Sequence, residues 1–141
     1  MFYLDASAVV KLVVEEPESA ALRALLTDGP RGSCELAVAE APRAVRRVAA
    51  GRAEAERQRL LARVDATLDR LTLLSVDREA LRVAGGFDDP GLRSLDAVHI
   101  ASALSIAGDL DAFVSYDTRQ LEAAAKAGLP VVSPGAGTAR S

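Results

Sequence analysis

Short apolar segments alternate with helical segments along the whole chain, and this alternation limits the folds open to it more than any other feature. Phe2-Tyr3-Leu4 is typical of a buried first strand, whereas leucine and valine recur at helical spacing between residues 52 and 71. Strands that alternate with helices join through right-handed crossovers into a parallel sheet, and helices cover both of its faces. We therefore predict an α/β fold of three layers, α/β/α, around a central parallel sheet.

The predicted elements account for most of the 141 residues. We predict strands over residues 2–4, 32–35, 73–76, 112–115 and 131–133. We predict helices over residues 7–14, 18–26, 36–50, 52–71, 77–84, 95–107 and 118–127. This length suits one domain, to which we assign residues 1–133. Residues 134–141 are small and polar enough to form a short flexible carboxyl-terminal tail.

Composition restricts the compartment and the partners. No apolar run approaches the roughly 20 residues that a membrane-spanning helix needs, and no secretory signal precedes the first strand, so we expect a cytoplasmic protein without membrane contact. Cys34 is the only cysteine, which excludes an internal disulfide and favours a small buried apolar residue. The net charge of −3 argues against a protein that coats nucleic acid by bulk attraction, but not against a nuclease.

Four acidic residues follow predicted strands or lie in the opening turns of the helix after them: Asp5, Glu40, Asp96 and Asp117. The carboxyl ends of parallel strands share one edge of a sheet, so these residues can converge there. Converging carboxylates repel one another and retain their protons unless cations join them. Oxygen ligands of this kind suit Mg²⁺ or Mn²⁺, which can prepare water to attack a phosphodiester. The sequence therefore predicts an acidic, divalent-metal site at the carboxyl ends of the strands.

Each of the four acids lies in a short motif, and the motifs follow in this order: Leu4-Asp5-Ala6-Ser7-Ala8, Glu40 ahead of Arg43-Ala44, Ser94-Leu95-Asp96-Ala97-Val98-His99-Ile100-Ala101, and Ser115-Tyr116-Asp117-Thr118-Arg119-Gln120-Leu121. With them the chain resembles a PIN domain and is similar to the VapC toxins of bacterial toxin–antitoxin pairs, over essentially the whole chain up to about residue 133. The resemblance implies a Mg²⁺- or Mn²⁺-dependent endoribonuclease that hydrolyses RNA through metal-activated water. It also implies a VapB-type antitoxin whose carboxyl-terminal segment blocks the site, and a toxin homodimer.

Each acid has a role in this hypothesis. Asp5, Asp96 and Glu40 hold one Mg²⁺, and Asp117 completes the cluster or binds a second ion. Each of Asp5, Asp96 and Asp117 could alternatively serve only as a helix cap. At Asp96 the cap itself would be Ser94, which lies just ahead of it. An interior proline costs a helix about 3 kcal/mol or more, so a helix that begins near Ala41 would suit Pro42 and would shift Glu40 slightly.

Neighbouring residues offer support or substrate contact. The Ser7 hydroxyl either bonds the backbone of its own turn or steadies Asp5 or a metal-bound water. Arg43 and Arg47 lie on one helical face, where they either grip RNA phosphates or an antitoxin carboxylate or form a solvated surface. Arg119, next to Asp117, is a further candidate for substrate contact. His99 is better explained as a satisfied structural histidine than as a general base.

Two other functions compete with the nuclease. One is a catalytically idle PIN-like module that only captures RNA or a partner, against which the presence of all four acids argues. The other is an Asp-dependent phosphatase or phosphotransfer domain, which normally has a second Asp two residues after the first and a dedicated lysine. Here position 7 is Ser, and Lys11 and Lys126 are poorly placed for that role. We expect an antitoxin on the helices of residues 17–26 and 36–71, because a segment that folds on binding needs an apolar groove.

Overall fold

Five parallel strands form the centre of the computed structural model, which describes residues 1–137. The strands are β1 (Phe2–Leu4), β2 (Arg31–Cys34), β3 (Thr72–Leu74), β4 (Ala112–Val114) and β5 (Val131–Val132). The helices are α1 (Ala6–Val13), α2 (Ser19–Leu25), α3 (Ala37–Val48), α4 (Glu54–Asp69), α5 (Arg78–Gly85), α6 (Ser94–Leu104) and α7 (Thr118–Lys126), with a short 3₁₀ turn at Ala107–Asp109.

The sheet has the strand order β3-β2-β1-β4-β5, and every pairing in it is parallel. In the register of the central strand, Tyr3 pairs with Gly32 on one side and with Phe113 on the other. Just past the end of β1, the backbone N–H of Asp5 donates to Val114 O at 3.1 Å. The predicted parallel sheet is thus confirmed, and the segments that follow β1 and β4 leave it side by side.

Helices pack on both faces of the sheet, because neighbouring residues of a strand point to opposite faces. Leu4 belongs to a core that α1, α2, α3 and α4 cover, with Val9 and Val45 fully buried in it. Tyr3 belongs to the core on the other face, where Ile100 of α6 is equally buried. The three-layer α/β/α architecture predicted from the sequence is therefore confirmed.

Helix α3 begins one residue after its predicted start at residue 36. It begins at Ala37, so Pro42 lies in its interior and not at its first turn, and the later start near Ala41 that would suit the proline is not observed. The backbone N–H groups of Ala39 and Glu40 already donate to Leu36 O, at 3.0 and 2.9 Å. Alanine favours the helix here, and burial of Ala37 and Ala41 in the core holds this segment in place.

Helix α6 begins and ends differently from the prediction. Arg93 is its N-cap residue, and no side chain of residues 1–137 caps the helix, so the expectation that Ser94 is the cap is wrong. The helix ends at Leu104 and not near Ala107. Its last turn is closed by Ser105, whose hydroxyl donates to Ser102 O at 2.6 Å.

The predicted carboxyl-terminal tail begins at Pro134, whose carbonyl accepts a hydrogen bond of 2.9 Å from the Tyr116 hydroxyl. The backbone N–H of Ala136 donates to Ser133 O at 3.1 Å. Residues 138–141 lie outside the described part of the chain, so the boundary between domain and tail stays a prediction. None of the helices within residues 1–137 is long and apolar enough to cross a membrane.

Candidate active site

Asp5 is a buried carboxylate at the junction of β1 and α1. Its Oδ1 caps α1 by accepting from the Ala8 N–H at 3.0 Å, and it also accepts from the Ser7 hydroxyl at 2.6 Å. Its Oδ2 accepts from the Ser115 hydroxyl at 2.6 Å. Burial raises the pKa of Asp5 above its usual range, although these donors oppose the shift. Of the two roles considered for Ser7, the structure shows a hydrogen bond to Asp5.

Ser115 links the two acids that follow the central strands, and sequence reasoning missed it. Its hydroxyl donates to Asp5 and accepts from the Asp117 N–H at 3.0 Å. Asp117 is exposed and caps α7, because its Oδ1 accepts from the N–H groups of Arg119 and Gln120 at 2.9 and 3.3 Å. The sequence did offer a signal for Ser115, because it is a small polar residue that ends a buried strand two positions before an acid.

Asp96 lies in the first turn of α6 and is only partly exposed. Burial raises the pKa of Asp96 above its usual range, and the negative charges of Asp117, Asp5 and Glu40 raise it further. Gln120, a buried residue of α7, donates from Nε2 to the Asp96 carbonyl at 3.3 Å and so ties α7 to α6. Gln120 was also missed, although a glutamine on the apolar face of a helix is a recognisable signal.

Glu40 reaches the site from α3 and is held by His99. The two side chains meet through His99 Nε2 and Glu40 Oε1 at 2.6 Å. His99 is buried, and its Nδ1 lies 2.8 Å from the Tyr3 hydroxyl and 3.7 Å from the Cys34 sulfur. Burial alone lowers the pKa of His99, but the hydrogen bonds with Cys34 and Glu40 outweigh it and raise that pKa to about 10.

These contacts decide two sequence interpretations. With both ring nitrogens engaged inside the protein, His99 is the structural histidine that we predicted. Cys34 is buried as predicted, but it is not a purely apolar residue, because its thiol faces the His99 ring. The contact joins residues that are 65 positions apart in sequence, and no local pattern reveals it.

Two open cavities are lined by three of the four acids. The first, of about 500 Å³, lies between α3 and α6 and includes Glu40, Asp96 and Asp117 in its lining. The second, of about 460 Å³, adjoins it and shares Asp96 and Asp117. Asp5 lines neither cavity, because it is buried beside them at the end of β1.

Arginines border both cavities. Arg43 and Arg47 line the first, Arg119 lines the second, and Arg93 lines both. Within residues 1–137 none of these four side chains forms an ion pair or hydrogen bond. The structure therefore brings the predicted residues Arg43 and Arg119 to the acidic edge and adds Arg93, which sequence reasoning did not single out.

The four acids interact through their charges but are not gathered around one point. The pKa of Asp96 is raised mainly by burial, and the charges of Asp117, Asp5 and Glu40 add to that rise. In the described part of the chain, however, no three Asp, Glu, His or Cys side chains stand close enough together to hold a metal ion. The acids are thus a loose, repulsive set.

Comparison with known proteins gives a consistent result. The family model described as the PIN domain matches residues 2–126. The chain is 44% identical to Ribonuclease VapC46 of Mycobacterium tuberculosis over 133 residues, which cover 94% of this chain and 96% of that protein. It is 36% identical to Ribonuclease VapC47 and 37% identical to Ribonuclease VapC35 of the same species, each alignment covering 96% of this chain and 98% of the relative. The chain therefore belongs to the PIN-domain family, and within that family it is of the VapC type.

Proposed function

We propose that this protein is a metal-dependent endoribonuclease and the toxin of a type II toxin–antitoxin pair. One observation carries the proposal: Glu40, Asp96 and Asp117 come from three separate segments of the chain and line one open cavity, next to the buried Asp5. Its similarity over nearly its whole length to proteins named ribonucleases supports RNA as the substrate.

The acids fit Mg²⁺ or Mn²⁺ in donor chemistry and in charge. Carboxylate oxygens are the ligands such cations prefer. The pKa of Asp96 is raised first by burial and then by the neighbouring carboxylates, and a bound cation would offset those negative charges. Asp5, Asp96 and Glu40 would hold the cation, with Asp117 completing the set or serving a second ion, once the side chains draw together. When bound, the cation supplies an activated water and neutralises charge on the phosphate and the leaving oxygen.

The arginines are suited to hold the RNA backbone. Arg43, Arg47 and Arg93 line the same cavity as the acids and form no ion pair within residues 1–137. A guanidinium group can bind a phosphate with two parallel hydrogen bonds. We therefore assign phosphate binding to these side chains and to Arg119 in the adjoining cavity. Contacts of this kind position RNA without reading its sequence.

Cleavage of a mixed RNA pool tests the proposal. The purified protein is expected to cut RNA with Mg²⁺ or Mn²⁺ and to stop in EDTA. Asp96→Asn keeps the side-chain shape but removes one ligand charge, and it is expected to abolish the cuts. Asp65→Asn, an exposed position on α4, is the matched control and should cut like the parent. A folded, partner-free protein that binds RNA but cuts none in any metal would instead favour the idle binding module.

A groove between α1 and α3 is the surface that we assign to a VapB-type antitoxin. It has a volume of about 330 Å³ and shares Ala6, Ala44 and Arg47 with the first acidic cavity, so a bound segment could continue into the site. Val48 in its lining is 45% exposed. Val48→Asp is expected to abolish co-purification with the antitoxin, whereas Val83→Asp on α5 should not. Equal capture by both variants would refute this placement.

The phosphatase alternative loses support at Lys11. Its ammonium group lies 2.8 Å from Glu18 and 3.6 Å from Glu16, so it is committed to ion pairs with these two glutamates. A homodimer and a cytoplasmic location stay predictions. Analytical ultracentrifugation at several protein concentrations would test the dimer.

A further inference from the structure

A buried chain of side chains runs from the core to Glu40. The Tyr3 ring is fully buried and stacks on Phe113, with ring centroids 5.5 Å apart and an angle of 8° between the planes. Its hydroxyl lies 2.8 Å from His99 Nδ1, and the two rings meet edge to face at 5.8 Å. His99 Nε2 then lies 2.6 Å from Glu40 Oε1. The chain connects β4, β1, α6 and α3 in that order.

This arrangement fixes the direction of the hydrogen bond to Glu40. A neutral imidazole that accepts from Tyr3 at Nδ1 carries its proton on Nε2, and a charged imidazole carries protons on both nitrogens. In both states Nε2–H donates to Glu40 Oε1 and occupies one lone pair of that oxygen. Within residues 1–137 the Glu40 side chain has no second hydrogen-bond donor, so Oε2 is the oxygen with both lone pairs open to a cation.

The Glu40 carboxylate is held by fewer donors than those of Asp5 and Asp117. A glutamate side chain has one more rotatable bond than an aspartate and loses more conformational freedom when it is fixed. The Asp5 carboxylate is anchored by three donors, and Asp117 by two backbone N–H groups. Among residues 1–137, Glu40 has a single donor, and that donor is a ring with 1% exposure. Removing His99 therefore frees one acid and leaves the hydrogen bonds of Asp5 and Asp117 intact.

We propose that His99 is a positioning residue for Glu40: its ring, held by Tyr3, fixes Glu40 Oε1 and thereby presents Oε2 to the divalent cation. The inference rests on the proposed metal-dependent function. Hydrogen-bond partners of metal ligands typically change metal affinity by roughly 10–100-fold when they are removed. The same loss is expected here, without any change in the number of carboxylates.

A double-mutant cycle on Mn²⁺ affinity, measured by calorimetry without RNA, tests the inference. His99→Met is expected to weaken Mn²⁺ binding by roughly 10–100-fold. His99→Gln can place an amide donor near the position of Nε2 and should recover much of that loss. In a Glu40→Gln background, His99→Met should change affinity by no more than about twofold, the scatter of independent sites.

Two further measurements keep the test sharp if His99→Met folds poorly. Tyr3→Phe keeps the stack on Phe113 and removes only the hydroxyl that holds the ring, so a smaller loss of Mn²⁺ affinity is expected with circular dichroism unchanged. His99 is the only histidine, so nitrogen-15 spectra of the imidazole show one ring. Saturating Mg²⁺ should shift the Nε2 signal of the parent protein.

The outcomes separate the inference from the function beneath it. Equal effects of His99→Met in the parent and Glu40→Gln backgrounds would overturn the positioning role, as would ring signals that Mg²⁺ leaves unmoved. Metal-dependent RNA cleavage would then still stand. A parent protein that binds neither cation would overturn the metal-dependent function and the positioning role together.

Discussion

Pro42 interrupts the backbone hydrogen bonds of α3, and Pro42→Ala is therefore expected to stabilise the protein. Proline has no N–H to donate to the carbonyl of Val38, four residues earlier, and its ring crowds that carbonyl. Alanine is favoured over proline by about 3 kcal/mol in a helix interior. The substitution also gives the unfolded chain more conformational freedom, which lowers the free energy of unfolding by about 0.4–1 kcal/mol. The difference is a gain of about 2 kcal/mol in the free energy of unfolding.

Urea unfolding followed by circular dichroism measures this gain. The midpoint should rise with the slope unchanged, and the melting temperature should rise by roughly 6–10 °C. Pro90→Ala is the matched control, because Pro90 lies in an exposed turn and not in a helix. There the substitution only loosens the unfolded chain, so a loss of up to about 1 kcal/mol is expected. An unchanged or lower midpoint for Pro42→Ala would refute the reasoning about α3.

Three further predictions concern the acidic edge. Burial raises the pKa of Asp5 in the folded protein above its value in the unfolded chain. Protonation of Asp5 therefore stabilises the fold, fully at a pH below the unfolded-state pKa, and this stabilisation is lost as the pH rises through the folded-state pKa. Asp5→Asn should therefore melt higher than the parent in EDTA near pH 7 by calorimetry, with a gain that shrinks toward pH 4; a constant difference would contradict this. Excess Mg²⁺ should raise the melting temperature of the parent but not of Asp96→Asn, since only a cation bound to the folded state stabilises it; equal shifts would count against the ligand assignment. Arg93→Ala should weaken binding of single-stranded RNA in EDTA and lower the salt slope by about 0.7, whereas Arg59→Ala on α4 should leave fluorescence-anisotropy titrations unchanged.

The sequence was sufficient where position along a strand decides position in space. Asp5 and Asp117 follow strands that proved adjacent and parallel, so their proximity follows from the alternation of strands and helices. The same alternation predicted both cores. These features depend on local patterns and on general rules of chain connection, and neither needs knowledge of how particular side chains pack.

Packing between distant segments decided the rest. The bond between His99 and Glu40 joins residues 59 positions apart and depends on how α3 lies against α6. Helix α3 runs through Pro42 because burial of Ala37 and Ala41 outweighs the local rule against an interior proline. The local sequence indicates only that Ser115 ends a strand. Its hydrogen bonds to Asp5 and Asp117 form because β1 and β4 pair.

Anomalous scattering from a crystal soaked in Mn²⁺ would locate the metal centre without relying on activity. We expect a peak bounded by the carboxylates of Asp5, Glu40 and Asp96, with the Glu40 side chain still bonded to His99 through Oε1. A peak elsewhere on the protein, or none at Mn²⁺ concentrations that support RNA cleavage, would contradict the assignment of these acids as the metal centre.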